Sequence, residues 1–97
     1  MKFIYNDKGN TVGFRQGNFI YEIKGRAIGQ IINNKHVHKI NGQYVGELYE
    51  DMVVNMNIGN LGNVGNCGNP GNTGSPGNPS NRGSINYGYK DVFKELL

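Results

Sequence analysis

Paired glycines constrain this chain more than any other feature. Gly9 and Gly13, Gly25 and Gly29, and Gly42 and Gly46 align three blocks without gaps, KFIYNDKGNTVG, NFIYEIKGRAIG and KHVHKINGQYVG, at spacings of sixteen and then seventeen residues. A fourth and weaker copy, MVVNMNIGNLG, puts Gly59 seventeen residues after Gly42. A repeat this short is one supersecondary unit, which must bury its apolar face on its neighbours. Each block has a β-rich run, a polar turn holding the first glycine, and a short returning run, the pattern of a β-hairpin. Asn41-Gly42 suits a type I′ turn, which needs positive φ at both central positions, and Gly9 and Gly25 stand in the same place. The second glycine falls inside the returning run, where a bulge or the close approach of another backbone accounts for it. Polar connectors, Arg15-Gln16-Gly17-Asn18, Asn33-Asn34-Lys35 and Glu50-Asp51, suit turns between units.

An isolated hairpin is barely stable in water, so the four units must pack together. A closed or radial arrangement about a pseudo-fourfold axis does this and also covers the strand edges. Only about the first sixty of the 97 residues suit such a core, a size that is marginal without disulfides, metal or partner. Cys67 is the single cysteine, so no intrachain disulfide and no multi-cysteine zinc site can form. Tyr5, Tyr21, Tyr44, Tyr49, Phe3, Phe14 and Phe19 are expected to supply most of the core.

FIYNDKGNTVGF, NFIYEIKGRAIGQI and KHVHKINGQYVGEL resemble the units of a bacterial family, the four-fold β-flower proteins. The resemblance covers residues 1–64. It implies a small all-β domain of four short hairpin petals in a pseudo-fourfold, flower-like arrangement, and brings no biochemical activity with it. Family members continue into a low-complexity tail with a three-residue rhythm and a short terminal segment. The tail here differs in being Gly/Asn-rich with few prolines, and the fourth unit runs straight into the triplets after Gly59.

The triplets of residues 59–79, GNLGNVGNCGNPGNTGSPGNP, are too poor in proline for a collagen helix. Residues 65–84 are therefore expected to be a disordered, Gly/Asn-rich linker that provides reach. Residues 85–97 regain aromatic and apolar character. Asp91 could cap a short helix-prone segment carrying Val92, Phe93, Leu96 and Leu97 on one side. So short a helix is not stable alone, so the segment either docks back on the petals or folds onto another protein. Tyr87, Tyr89, Val92, Phe93, Leu96 and Leu97 are the candidate partner-docking residues.

No set of residues spells out a reaction, and no catalytic, cofactor or metal site is assigned. His36 and His38 share one face of a strand, but no third metal ligand is in sequence range and they align with Phe3/Tyr5 and Phe19/Tyr21. Cys67 lies in GNVGNCGNP, without a base or pocket to make it a nucleophile. Glu47, Glu50 and Asp51 suit a polar turn. The net charge of +3 is spread along the chain and supports nucleic-acid binding only weakly. No stretch approaches the roughly 18 apolar residues of a membrane span, and Asp7 and Gly9 interrupt the N-terminal apolar run, which makes the cytoplasm the expected location. Three functions follow as expectations. The first is a non-enzymatic binding or assembly module displaying its C-terminal peptide to another protein. The second is a homo-oligomerising structural protein. The third is a binder of a small ligand, a membrane surface or single-stranded nucleic acid at an aromatic face interleaved with Lys2, Arg15, Lys24, Arg26, Lys35 and Lys39.

Overall fold

A computed structural model describes residues 1–56, 62–68, 70–77 and 81–97. The chain is all-β. Eight strands form one sheet in sequence order, every neighbouring pair antiparallel: β1 Lys2–Tyr5, β2 Thr11–Gln16, β3 Phe19–Glu22, β4 Ala27–Ile32, β5 His36–Lys39, β6 Tyr44–Tyr49, β7 Met52–Asn55 and β8 Lys90–Asp91. A 3-10 turn, Phe93–Leu96, follows β8. The sheet curls into a flat body of 35 × 32 × 19 Å, and the Tyr5 N–H donates to the Asp51 carbonyl at 2.8 Å, bringing the first unit against the fourth.

Three units share one hairpin geometry. The Gly42 N–H donates to the Lys39 carbonyl and the Lys39 N–H to the Gln43 carbonyl, a three-residue loop. Asn6/Gly9/Asn10 and Glu22/Gly25/Arg26 repeat these two bonds. Positive φ is needed only at the glycine, 101° at Gly42, so the turn is a type I turn closed by a left-handed residue and not the expected type I′. Paired left-handed residues occur instead between units, at Asn33 and Asn34, φ 55° and 61°.

The second glycines meet both expectations. Gly13, Gly29 and Gly46 lie opposite Ile4, Ile20 and Val37, and the register slips at the next residue, a bulge repeated in all three hairpins. Space is also short there: a Cβ on Gly46 would lie 2.5 Å from the Val54 carbonyl oxygen and 2.9 Å from Val92 Cγ2.

The main core is aliphatic rather than aromatic. Ile4, Ile20, Val37 and Val53, one from the first strand of each unit, are at most 1% exposed and meet with Ile28, Ile31, Val92, Phe93 and Leu96. Phe14 stacks on Tyr21 in a smaller cluster on the other face, where Phe3 and Phe19 are only partly buried. Tyr49 is exposed. Alternation along the strands explains the division, because it sends the β-branched residues to the centre and the aromatics between neighbouring units.

Among the described residues the Gly/Asn-rich tail forms no strand or helix before Lys90, and its N–H groups reach the turns of the units at regular intervals. The Val64 N–H donates to the Gly42 carbonyl (2.9 Å), the Thr73 N–H to that of Gly25 (2.9 Å) and the Arg82 N–H to that of Gly9 (3.1 Å). The chain thus passes the turns of the third, second and first units in steps of nine residues, three triplets per unit. A fourth step of nine reaches Asp91, which pairs with Val54 in the fourth unit. Uniform composition concealed this register, because the triplets alone do not tell which of them meets a turn.

Candidate docking site

In the first three units a six-residue strand returns beside the first strand of the hairpin. Beside β7 that place is taken from the far end of the chain. Val54 pairs with Asp91 as Tyr5 pairs with Thr11, Tyr21 with Ala27 and His38 with Tyr44. Lys90-Asp91-Val92 therefore occupies the positions of Asn10-Thr11-Val12, Arg26-Ala27-Ile28 and Gln43-Tyr44-Val45. The expected role of Gly59 as a fourth turn glycine lies outside the described residues.

Beyond β8 the chain turns inward. The Val92 N–H donates to the Val53 carbonyl at 3.0 Å, and Phe93 and Leu96 descend into the aliphatic core, 2% and 5% exposed. Asp91 fixes the entry: Oδ1 accepts the Phe93 N–H (3.0 Å) and Oδ2 the Asp7 N–H of the first unit (3.2 Å). The expected helix is this single 3-10 turn, with Asp91 in the strand before it. The second glycines also make room for this plug. A Cβ on Gly13 would stand 2.9 Å from Phe93 Cζ, and one on Gly29 3.1 Å from Leu96 Cδ2.

Of the six candidate docking residues, Val92, Phe93 and Leu96 are buried in the chain's own centre, Tyr87 and Tyr89 are half-buried, and Leu97 is 64% exposed. Of the two destinations predicted for this segment, the structure has it docked on the petals. Tyr87 and Tyr89, two apart on an extended strap, sit edge-on to Tyr49 with ring centroids 5.2 and 5.5 Å away. The Tyr87 hydroxyl donates to Asp51 Oδ1 at 3.1 Å, and burial first, then this bond, raises its pKa above 10.0. Arg82 joins the same carboxylate oxygen at 3.1 Å and lies over the Tyr5 ring, 4.6 Å from its centroid. Tyr49 and Asp51, expected as a core aromatic and a turn residue, are part of this site, and Arg82 is a site residue that the sequence did not single out. Arg82 lies nine residues after Thr73, a step that shows only once the tail contacts are known.

The other candidates are held in internal contacts. Glu47, 2% exposed, receives His36 Nδ1 at 2.8 Å and the Tyr44 hydroxyl at 3.0 Å, both to Oε2. His38 Nδ1 meets the Gly42 carbonyl at 3.0 Å. The histidine pair thus joins turns and strands, and among the described residues no group of three His, Cys, Asp or Glu side chains is placed to hold a metal ion. Cys67 is exposed, and its N–H donates to the Ile40 carbonyl at 3.2 Å as part of the tail contact. No helix among the described residues is long and apolar enough to cross a membrane.

A family model described as 4-fold beta flower protein matches residues 2–88. No curated protein and no solved structure matches the chain.

Proposed function

We propose that this chain, which belongs to the family of 4-fold beta flower proteins, is a non-enzymatic binding or assembly module whose docking element is residues 85–97. One observation carries this reading: the strand beside β7 and the plug in the centre both come from a segment joined to the rest by a long tail. Slot and peptide are therefore separate parts within one chain. Strand addition supplies backbone pairing on the β7 edge, and the apolar centre supplies selectivity for Val92, Phe93 and Leu96. A second copy, or a partner peptide with the same acid-Val-Phe-x-x-Leu pattern, offers the same chemistry. Homo-assembly is then the case in which the partner is this chain itself. The tether keeps the chain's own segment at high local concentration, so exchange rises with protein concentration. A lone exposed thiol with no disulfide favours a reducing cytoplasm as the place of action.

Pull-down with the full chain and with residues 85–97 deleted tests the proposal, alongside co-purification of tagged and untagged full-length copies mixed at high concentration. Partners or mixed copies lost on deletion support it. An unchanged partner set, together with a monomer mass at every concentration, sinks it.

A further inference from the structure

Between the turn of the first unit and the strap leading into β8 lies an open cleft of about 420 Å³, lined by Asp7, Asn86, Gly88, Tyr89, Lys90 and Asp91. We propose that this cleft is a saccharide-binding subsite for neutral or N-acetylated sugars. It lies beside the slot that holds Val92, Phe93 and Leu96, and five of its six lining residues belong to segment 85–97, so it exists while that segment is docked.

The lining argues for a polyhydroxylated ligand. Pockets for apolar ligands are walled mostly by hydrophobic side chains with a few polar groups. Here one aromatic residue lines the cleft together with two carboxylates, an amide and an ammonium. Asn86 spends its Oδ1 on the Gly88 N–H, 2.7 Å, which leaves the amide nitrogen as a donor. Neither the Asp7 carboxylate nor the Lys90 ammonium enters an ion pair among the described residues. Asp91, with both oxygens taken by backbone N–H groups, is a fixed wall. One free acceptor, two free donors and one tyrosine, Tyr89, match a sugar, whose hydroxyls need both kinds of partner while its C–H face packs on a ring.

Charge and surroundings narrow the class. Two carboxylates against one ammonium leave the cleft negative, which disfavours phosphates and other polyanions. Tyr89 continues through Tyr49, 36% exposed, to Tyr87, so a row of three tyrosine rings adjoins the cleft. The groups sit on the ring-closing contact between Asp7 and Asp91, so the site exists before a ligand arrives.

The test uses the full-length protein and NMR titration with cello-oligosaccharides, N-acetylchito-oligosaccharides and, as the polyanion arm, polygalacturonate. Saturable shifts of the Gly88, Tyr89 and Lys90 amides are expected with a neutral or N-acetylated series, weakened at least tenfold in Tyr89→Ala and in Asp7→Asn. Asp7→Asn keeps the backbone bond to Asp91, so it decides the matter where loss of Tyr89 loosens the strap. Absence of those shifts with both neutral series, binding unaltered in folded Asp7→Asn, or shifts with the polyanion alone overturns the proposal.

Discussion

Pro76 has no amide hydrogen, yet it stands nine residues after Cys67 and nine before Ile85, whose N–H groups reach the carbonyls of Ile40 and Asp7 in the third and first turns. In the second turn the neighbouring Ser75 hydroxyl donates to the Ile23 carbonyl instead, at 2.9 Å. The triplets are thus tuned residue by residue, and Asn serves locally: Asn66 and Asn81 accept the N–H of the glycine two residues on, at 2.7 and 2.6 Å. Glycine has different reasons in the two halves of the chain. Gly46→Ala pushes a methyl against the Val54 carbonyl and Val92, neither of which is a free chain end, and is expected to cost about 1–3 kcal/mol. Gly65→Ala meets nothing within 4 Å at ordinary φ and should stay within about 0.5 kcal/mol of wild type. Urea midpoints of the two variants provide the comparison. Tyr44 gives a pH signature. Burial first, then the hydrogen bond to Glu47 and its charge, push its phenol up from 10.0 to about 12. The folded state keeps this proton where the unfolded chain has lost it, so the contribution is complete below pH 10 and declines as pH rises towards about 12. The stability gap between wild type and Tyr44→Phe should therefore shrink above pH 10, as followed by denaturation across that range.

Elements differ in how far they could be read from sequence. The hairpins were legible because each needs a glycine at its turn and another at its bulge, and those needs recur at Gly9/Gly13, Gly25/Gly29 and Gly42/Gly46. The tail was not legible, because its contacts depend on the distance from one turn to the next. Nine residues of extended chain reach at most about 30 Å, which suits roughly a quarter of the circumference of a body 35 × 32 Å across. Half-burial marks the same step, at Val64, Thr73 and Arg82 among mostly exposed neighbours. The docking segment was half legible: its apolar residues were evident, while the missing strand beside β7 was visible only once the register of the other units was known. Deleting the triplet 66–68 leaves six residues, at most about 20 Å, between Val64 and Thr73. Both turn contacts cannot then be kept. Amide hydrogen exchange should show protection lost at Val64 or Thr73, while insertion of one Gly-Asn-Thr triplet at the same place preserves both. Equal protection in the deletion variant would mean that the nine-residue step has no mechanical role.

Across the whole molecule the order of contacts forms one circuit: four units in sequence, then the tail past the third, second and first turns, and back to the fourth. The first 56 residues alone make a small core, of the size at which a single domain is marginal. Three of the nine residues in the main cluster, Val92, Phe93 and Leu96, arrive with the end of the chain. They cover the second glycines, so removing them exposes backbone as well as the four central side chains. A chain of this length has about 5–15 kcal/mol of net stability, against which a buried phenylalanine is a large share. Phe93→Ala is expected to cost about 3–5 kcal/mol, because a ring 2% exposed is replaced by a void beside Gly13. Leu97→Ala, one residue beyond the turn and 64% exposed, should change stability by no more than about 0.5 kcal/mol. The pair separates the inserted plug from the end that follows it. If guanidinium midpoints fall equally for both, or for neither, the terminal segment is not an integral part of the core, and the four units must hold together without it.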